Sequence, residues 1–94
     1  MNAATKWAIP YDLNNFAAVA VEKMEHERAA KLLGAAESIL EAQGASWPPD
    51  EGPHFQQSLN RVIENHPPDD FERVWRDGMK FSIEEAIRFA LKHG

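Results

Sequence analysis

The side chains able to do chemistry in this chain are few, and their spacing decides what they can do. Histidines stand at 26, 54, 66 and 93. His26 lies between Glu25 and Glu27, and His66 lies near Asp69 and Asp70. A metal held on a helix needs two ligands on one face, as HxxxH or HExxH supplies. Neither spacing occurs, and His54 and His66 are twelve residues apart. The histidines therefore read as solvated surface groups, and no metal ligand is expected. Paired carboxylates occur at Asp69–Asp70 and Glu84–Glu85. General acid–base work needs two carboxyls in one cleft with their pKa values pushed apart. Both pairs fall instead where a helix begins, and there capping and the helix dipole explain them. Ser38, Ser46, Ser58 and Ser82 have no GxSxG context. No GxxxxGK[ST] phosphate loop is present. The residues thus define no reaction; the expectation is a non-enzyme with no catalytic residue, no cofactor and no evident small-molecule substrate.

Two partner classes are also disfavoured. The net charge of −5 opposes nonspecific attachment to nucleic acid or to an anionic membrane. Trp7, Phe16, Trp47, Phe55, Phe71, Trp75, Phe81 and Phe89 could stack bases only if cations were interleaved with them. Arg61, Arg73, Arg76, Lys80 and Arg88 are present, but Glu64, Asp77, Glu84 and Glu85 alternate with them. Core aromatics account for most of the set. No apolar run approaches the ~20 residues that span a bilayer. No charged-then-apolar leader opens the chain, and the absence of cysteine removes disulfides and thiolate metal sites. The expected location is cytoplasmic.

The elements that position these residues follow from hydrophobic period. Over residues 27–43, Ala29, Leu32, Leu33, Ala36, Ile39 and Leu40 recur at i, i+3, i+4 and i+7, one face of a helix. Arg28, Lys31, Ser38 and Glu41 fall away from the centre of that face. Gly44 follows as a C-cap, and Gly34, between Leu33 and Ala35, suits close approach of a second helix. Before this helix, residues 1–6 are expected to fray, and Trp7, Ile9 and Pro10 read as an apolar lead-in. Asp12 reads as the N-cap of a helix carrying Leu13, Phe16, Ala17, Ala20, Val21 and Met24. The two helices, so briefly linked, make an antiparallel hairpin. Pro48 and Pro49 break the pattern, and Trp47 is expected to fold back as a plug. Asp50 reads as the cap of a third helix holding Phe55, Leu59, Val62 and Ile63, with Pro53 in its first turn. A fourth opens at Asp69 and Asp70, carries Phe71, Val74 and a buried Trp75, and is stopped by Gly78. Ser82 to Glu85 forms a capping box for a last helix bearing Ile83, Ala86, Ile87, Ala90 and Leu91, closed by Lys92 and His93 near its negative pole. Nothing alternates with period two. The fold class expected is all-α: an antiparallel, TPR-like helical hairpin and three shorter helices, five in all, in one domain over 1–94.

The segment ERAAKLLGAAESILEAQGASWPPDE, followed by FERVWRDGMKFSIEEAIRFAL, resembles the C-terminal tetratricopeptide-like part of large bacterial LuxR-type and AfsR-type NTPase transcriptional regulators. Their pattern runs roughly RAARLLGAAE, a proline-rich link, a helix, then WxxGxxxSxxEA. The matches are Arg28, Ala29, Ala30, Leu32 to Glu37, Pro48, Pro49, Trp75, Gly78, Ser82, Glu85 and Ala86, and the resemblance covers residues 12–91. It implies a helical scaffold for protein contacts. The nucleotide-binding and DNA-binding parts of such regulators have no counterpart here, so neither activity carries over. Met1 and the length favour a small free-standing protein over an excised fragment.

In those regulators the hairpin would stack on a preceding repeat. A terminal repeat needs a polar outer face, yet Trp7, Ile9, Ala18 and Val19 would leave this one apolar. These four are the candidate interface, with Phe89 on the last helix as the other. The functional expectation is a self-associating interaction module, most simply a homodimer or a complex with a protein partner. The alternative is a small nucleic-acid-linked regulator, which a gel shift at low salt would reveal.

Overall fold

Apolar residues recur at helical spacing along the chain, and among the described residues helices alone result. The computed structural model describes residues 3–92, with side-chain surroundings from residue 8 onward. Among the described residues there are five α-helices and no strand: α1 (Ala3–Glu22), α2 (His26–Ala42), α3 (Gly52–Glu64), α4 (Pro68–Met79) and α5 (Ile83–Lys92). The all-α class expected from the sequence is the one observed. The helices pack within 37 × 28 × 22 Å.

Helix α2 is the centre of the packing. Ala29, Ala30, Leu32, Leu33, Ala35 and Ala36 have no exposed surface, so burial runs around most of the helix rather than along one stripe. That requires neighbours on two sides, and α1 and α4 make the most extensive contacts with it. Each fully buried leucine contributes roughly 2 kcal/mol of transfer free energy. Small residues on α2 set how closely its neighbours come. A Cβ built on Gly34 would lie 2.6 Å from the carbonyl oxygen of Trp75. One on Gly78 would lie 2.8 Å from Cα of Lys31 and closer still to its carbonyl oxygen. The two glycines face each other across the α2–α4 crossing, each against the backbone one turn before its counterpart. The close approach expected at Gly34 is therefore present. Gly78 does not stop α4, which runs on to Met79; it is a contact residue.

Helix α1 departs from expectation. It begins at Ala3, well before the expected cap at Asp12, and Pro10 lies inside it. The residues expected to fray are thus helical from Ala3. An interior proline removes a hydrogen bond and crowds the preceding turn, at a cost of ~3 kcal/mol. Here the ring is fully buried on the stripe that also carries Leu13, Ala17 and Val21, and that burial offsets the loss.

The helix ends follow local rules. Both α1 and α2 close in Schellman motifs. Met24 (φ 64°) donates to Val21 and Glu25 to Ala20; Gly44 (φ 69°) donates to Glu41 and Ala45 to Leu40. The first turn thus sets a methionine in the left-handed region, where the second uses glycine. Trp47 folds back as expected. Its Nε1 donates to Glu37 Oε2 at 2.9 Å, its ring stacks on Phe55 at 4.9 Å, and Tyr11 lies at 5.8 Å. The residue flanking α3 is Glu51 rather than Asp50, with no side-chain capping bond, and Pro53 sits in the first turn. The capping box of α5 is formed: Glu85 N–H donates to Ser82 Oγ at 3.1 Å and Ser82 N–H donates to Glu85 Oε1 at 2.9 Å. Trp75 is half-buried rather than fully buried, edge-on to Phe55 and tilted against Phe71.

Candidate protein interaction surface

Three polar clusters contain the titratable groups that could act chemically. In the first, Asn14 has no exposed surface although it lies amid the apolar stripe of α1. Its Nδ2 donates to Glu51 Oε2 at 3.0 Å and lies 3.5 Å from His54 Nδ1. This ties α1 to the start of α3. Its Oδ1 is buried without a partner. Sequence reasoning passed over Asn14, although its place four residues after Pro10 and three before Ala17 puts it on the buried face. Among the described residues no three His, Cys, Asp or Glu side chains converge as metal ligands would.

The second cluster staples the start of α4. Asp70 accepts from Arg73 at 2.6 Å and lies 2.6 Å from His66 Nε2. Arg73, then His66, hold its carboxyl below the ordinary carboxylate value. Arg73 also lies 3.6 Å from Asp77, and Arg76 is 2.6 Å from Glu72. These two α4 arginines are thus balanced by acids on their own helix. At Glu85 the Ser82 backbone N–H, then its hydroxyl, lower the carboxyl likewise. A carboxylate whose folded pKa is depressed adds stability above its unfolded value and loses it as pH falls through the folded one. Thermal stability is therefore expected to decline below about pH 4, and Asp70→Asn and Glu85→Gln should each flatten that decline. An acid limb identical to wild type would show that the carboxylate in question contributes nothing.

The third cluster surrounds Arg28, which is only 9% exposed. The sequence placed this residue off the buried face; the structure places it inside. Its guanidinium donates to the carbonyl of Ala90 at 2.7 Å and lies 3.6 Å from Glu25. It forms part of the wall of an open depression of about 530 Å³ with His26, Lys31, His66 and Phe89. Lys31 lies 3.8 Å from Glu27, so each full cation of this wall has an acid beside it. All three clusters join one helix to another or brace a helix end.

The candidate interface residues separate. The side chain of Trp7 lies outside the described residues, as does His93. Ile9 is 4% exposed and belongs to the core, because α1 starts early enough to carry it inward; it is not available to a partner. Ala18 is half-buried in a small groove with His54, Gln57 and Arg61, turned toward α3. Val19 is 46% exposed. With Phe16, Asp12 and Asn15 it lines a shallow, mainly apolar depression on the outer side of α1. Phe89 is half-buried, 5.3 Å from Phe81, with Lys31 Nζ 5.8 Å from its ring. It borders a second apolar hollow with Ile87 and Leu91, the latter 63% exposed, rimmed by Glu85, Arg88 and Lys92.

What the geometry defines is a class: a small all-α chain with braced helix ends and two apolar surface patches, one on α1 and one on α5. No family model matches the chain, and neither a curated protein nor a solved structure matches it. No helix among the described residues is long and apolar enough to cross a membrane.

Proposed function

We propose that this chain is a non-enzymatic, cytoplasmic protein-interaction module that associates with a second copy of itself through the outer face of α1. The observation that carries the reading is Val19: a β-branched residue 46% exposed, beside half-buried Phe16, on a helix whose opposite face is fully committed to the core. A small apolar patch left open to solvent supports a contact role for this face. The resemblance to the terminal, TPR-like part of bacterial LuxR-type regulators supports the same role, since a hairpin of that kind stacks its outer face on a neighbour. A two-fold pair is the simplest closed arrangement.

Sedimentation over a concentration series tests this. A dimer is expected at up to about 100 μM, the range that a small interface populates; a clean monomer throughout refutes the proposal. In a dimer, Val19→Glu should raise the dissociation constant at least ~10-fold, because a carboxylate without a partner resists burial. Helix content should stay unchanged, since Val19 is solvated in the monomer. A dimer indifferent to Val19→Glu would move the interface to α5, around Phe89 and Leu91.

A further inference from the structure

The order of side chains along the outer face of α1 bears on the geometry of a self-contact, and so rests on the self-association reading. Asp12, Phe16, Val19 and Lys23 succeed one another at steps of four, three and four, which places them on one helical stripe. Lys23 stays on the helical path past the end of α1, for its N–H bonds the carbonyl of Val19 at 3.1 Å. The stripe is symmetric in position and antisymmetric in charge. Its two apolar residues are central, an acid stands one turn before them, and a base stands one turn after, with the exposed Glu22 beside that base. Asp12 and Lys23 are both exposed, and neither forms an ion pair among the described residues. Lys31, Arg28, Arg73 and Arg76 lie beside acids of their own chain, whereas Arg61, Lys80, Arg88 and Lys92, like Lys23, form no ion pair among the described residues.

A second copy laid antiparallel reverses the order of the stripe. Phe16 then meets Val19 of the second copy, Asp12 meets its Lys23, and the two-fold axis repeats both contacts. A parallel pair would set Asp12 on Asp12 and Lys23 on Lys23. Opposed charges at the rim of an apolar contact select one register and reject the other. We propose that α1 pairs antiparallel with α1 of a second copy about a two-fold axis between Phe16 and Val19, with Asp12 and Lys23 of the two copies clasping each end. The eleven residue steps from Asp12 to Lys23 span about 16 Å of helix, so the contact is short and the dimer is reversible.

Charge reversal tests the register. Asp12→Lys creates two lysine–lysine contacts per dimer, and Lys23→Asp creates two aspartate–aspartate contacts. Each is expected to raise the dissociation constant about 10-fold at low salt, and the double variant is expected to return it to within about 3-fold of wild type. Rim charges are screened by salt, so the single-variant effects should shrink at high ionic strength. The chain has no cysteine, which permits a second measurement that also stands if one reversal disturbs the helix. Asp12→Cys mixed with Lys23→Cys should be joined by a short thiol cross-linker, and neither variant should be joined to itself. A monomeric wild type would sink both the self-association reading and the register. A wild-type dimer that ignores both reversals, or cross-links that form within one variant, would overturn the antiparallel register and leave self-association standing.

Discussion

Replacing Gly78 with alanine is expected to lower the stability of the fold by about 3 kcal/mol, the upper end for forcing one carbon into a closed contact. Substituting alanine for glycine inside a helix ordinarily adds ~1 kcal/mol of stability through helix propensity. At Gly78 the sign reverses, because the added methyl would stand 2.8 Å from Cα of Lys31 and nearer to its carbonyl oxygen. Those atoms are backbone of α2 and cannot rotate away, so the two helices must separate. Separation would loosen the contacts that bury Leu33, Ala30 and Val74. Gly34→Ala meets the carbonyl oxygen of Trp75 at 2.6 Å and should behave in the same way. The two substitutions act on one helix crossing, so their costs should fall short of additive. Gly44→Ala provides a contrast. Nothing lies within 4 Å of a Cβ there, and its cost arises only from φ +69°, which amounts to ~1 kcal/mol. Denaturant unfolding of the three variants checks the order. A Gly78→Ala protein as stable as wild type would mean that the α2–α4 crossing can open without loss.

The two glycines also mark how far the sequence could be read. Gly34 was legible, since a mid-helix glycine among alanines has few reasons to be there other than close packing. Gly78 reads as a stop, because glycine near the end of a periodic stretch has that meaning on its own. Its real role depends on which helix crosses α4, and spacing within one segment does not contain that information. Pro10 misleads for a similar reason. Local rules make it a boundary, and only the burial of its ring explains why α1 continues through it. The misplaced boundary shifts the start of α1, and with it Ile9, from core to candidate surface. Asn14 is hidden by its type: a polar residue on an apolar stripe reads as an interruption unless its partners are known, and Glu51 and His54 lie 37 and 40 residues away. By contrast, the capping box at Ser82 and the C-cap at Gly44 are built from neighbours in sequence, and both were legible in full. At the candidate surface, the sequence points to Val19 and assigns Phe16 to the core, against which it does pack half-buried; it assigns Asp12 to a cap, whereas Asp12 lies inside α1.

Arg28 is the residue whose removal should next most disturb the molecule. It lies four residues before Leu32 and so on a buried stripe, yet a charged side chain reads by default as solvated. What allows it inside is a carbonyl at the far end of the chain. Helix α5 is ten residues long, and an isolated helix of that length is marginal in water. It packs on α1 and α2 far less extensively than those two pack on each other. The Arg28 guanidinium holds the carbonyl of Ala90 at 2.7 Å and sets a positive charge at the C-terminal pole of α5, where the helix dipole favours it. A hydrogen bond to a charged group contributes about 1.5–3 kcal/mol when both partners are shielded. Arg28→Met keeps most of the apolar stem and removes the donor, so it should cost about 2 kcal/mol through that bond alone. Arg28→Ala loses the packed stem as well and should cost about 3 kcal/mol. The loss should be local before it is global. Amide hydrogen exchange is expected to accelerate first along α5, around Ala86 to Ala90, while Leu32 and Leu33 in α2 keep their protection. Exchange in α5 that matches wild type in Arg28→Met would show that the apolar contacts of Ala86 and Ala90 hold the helix without the arginine. Acceleration confined to α5 would instead identify it as the least stable element, pinned by a single charged contact across 62 residues of chain.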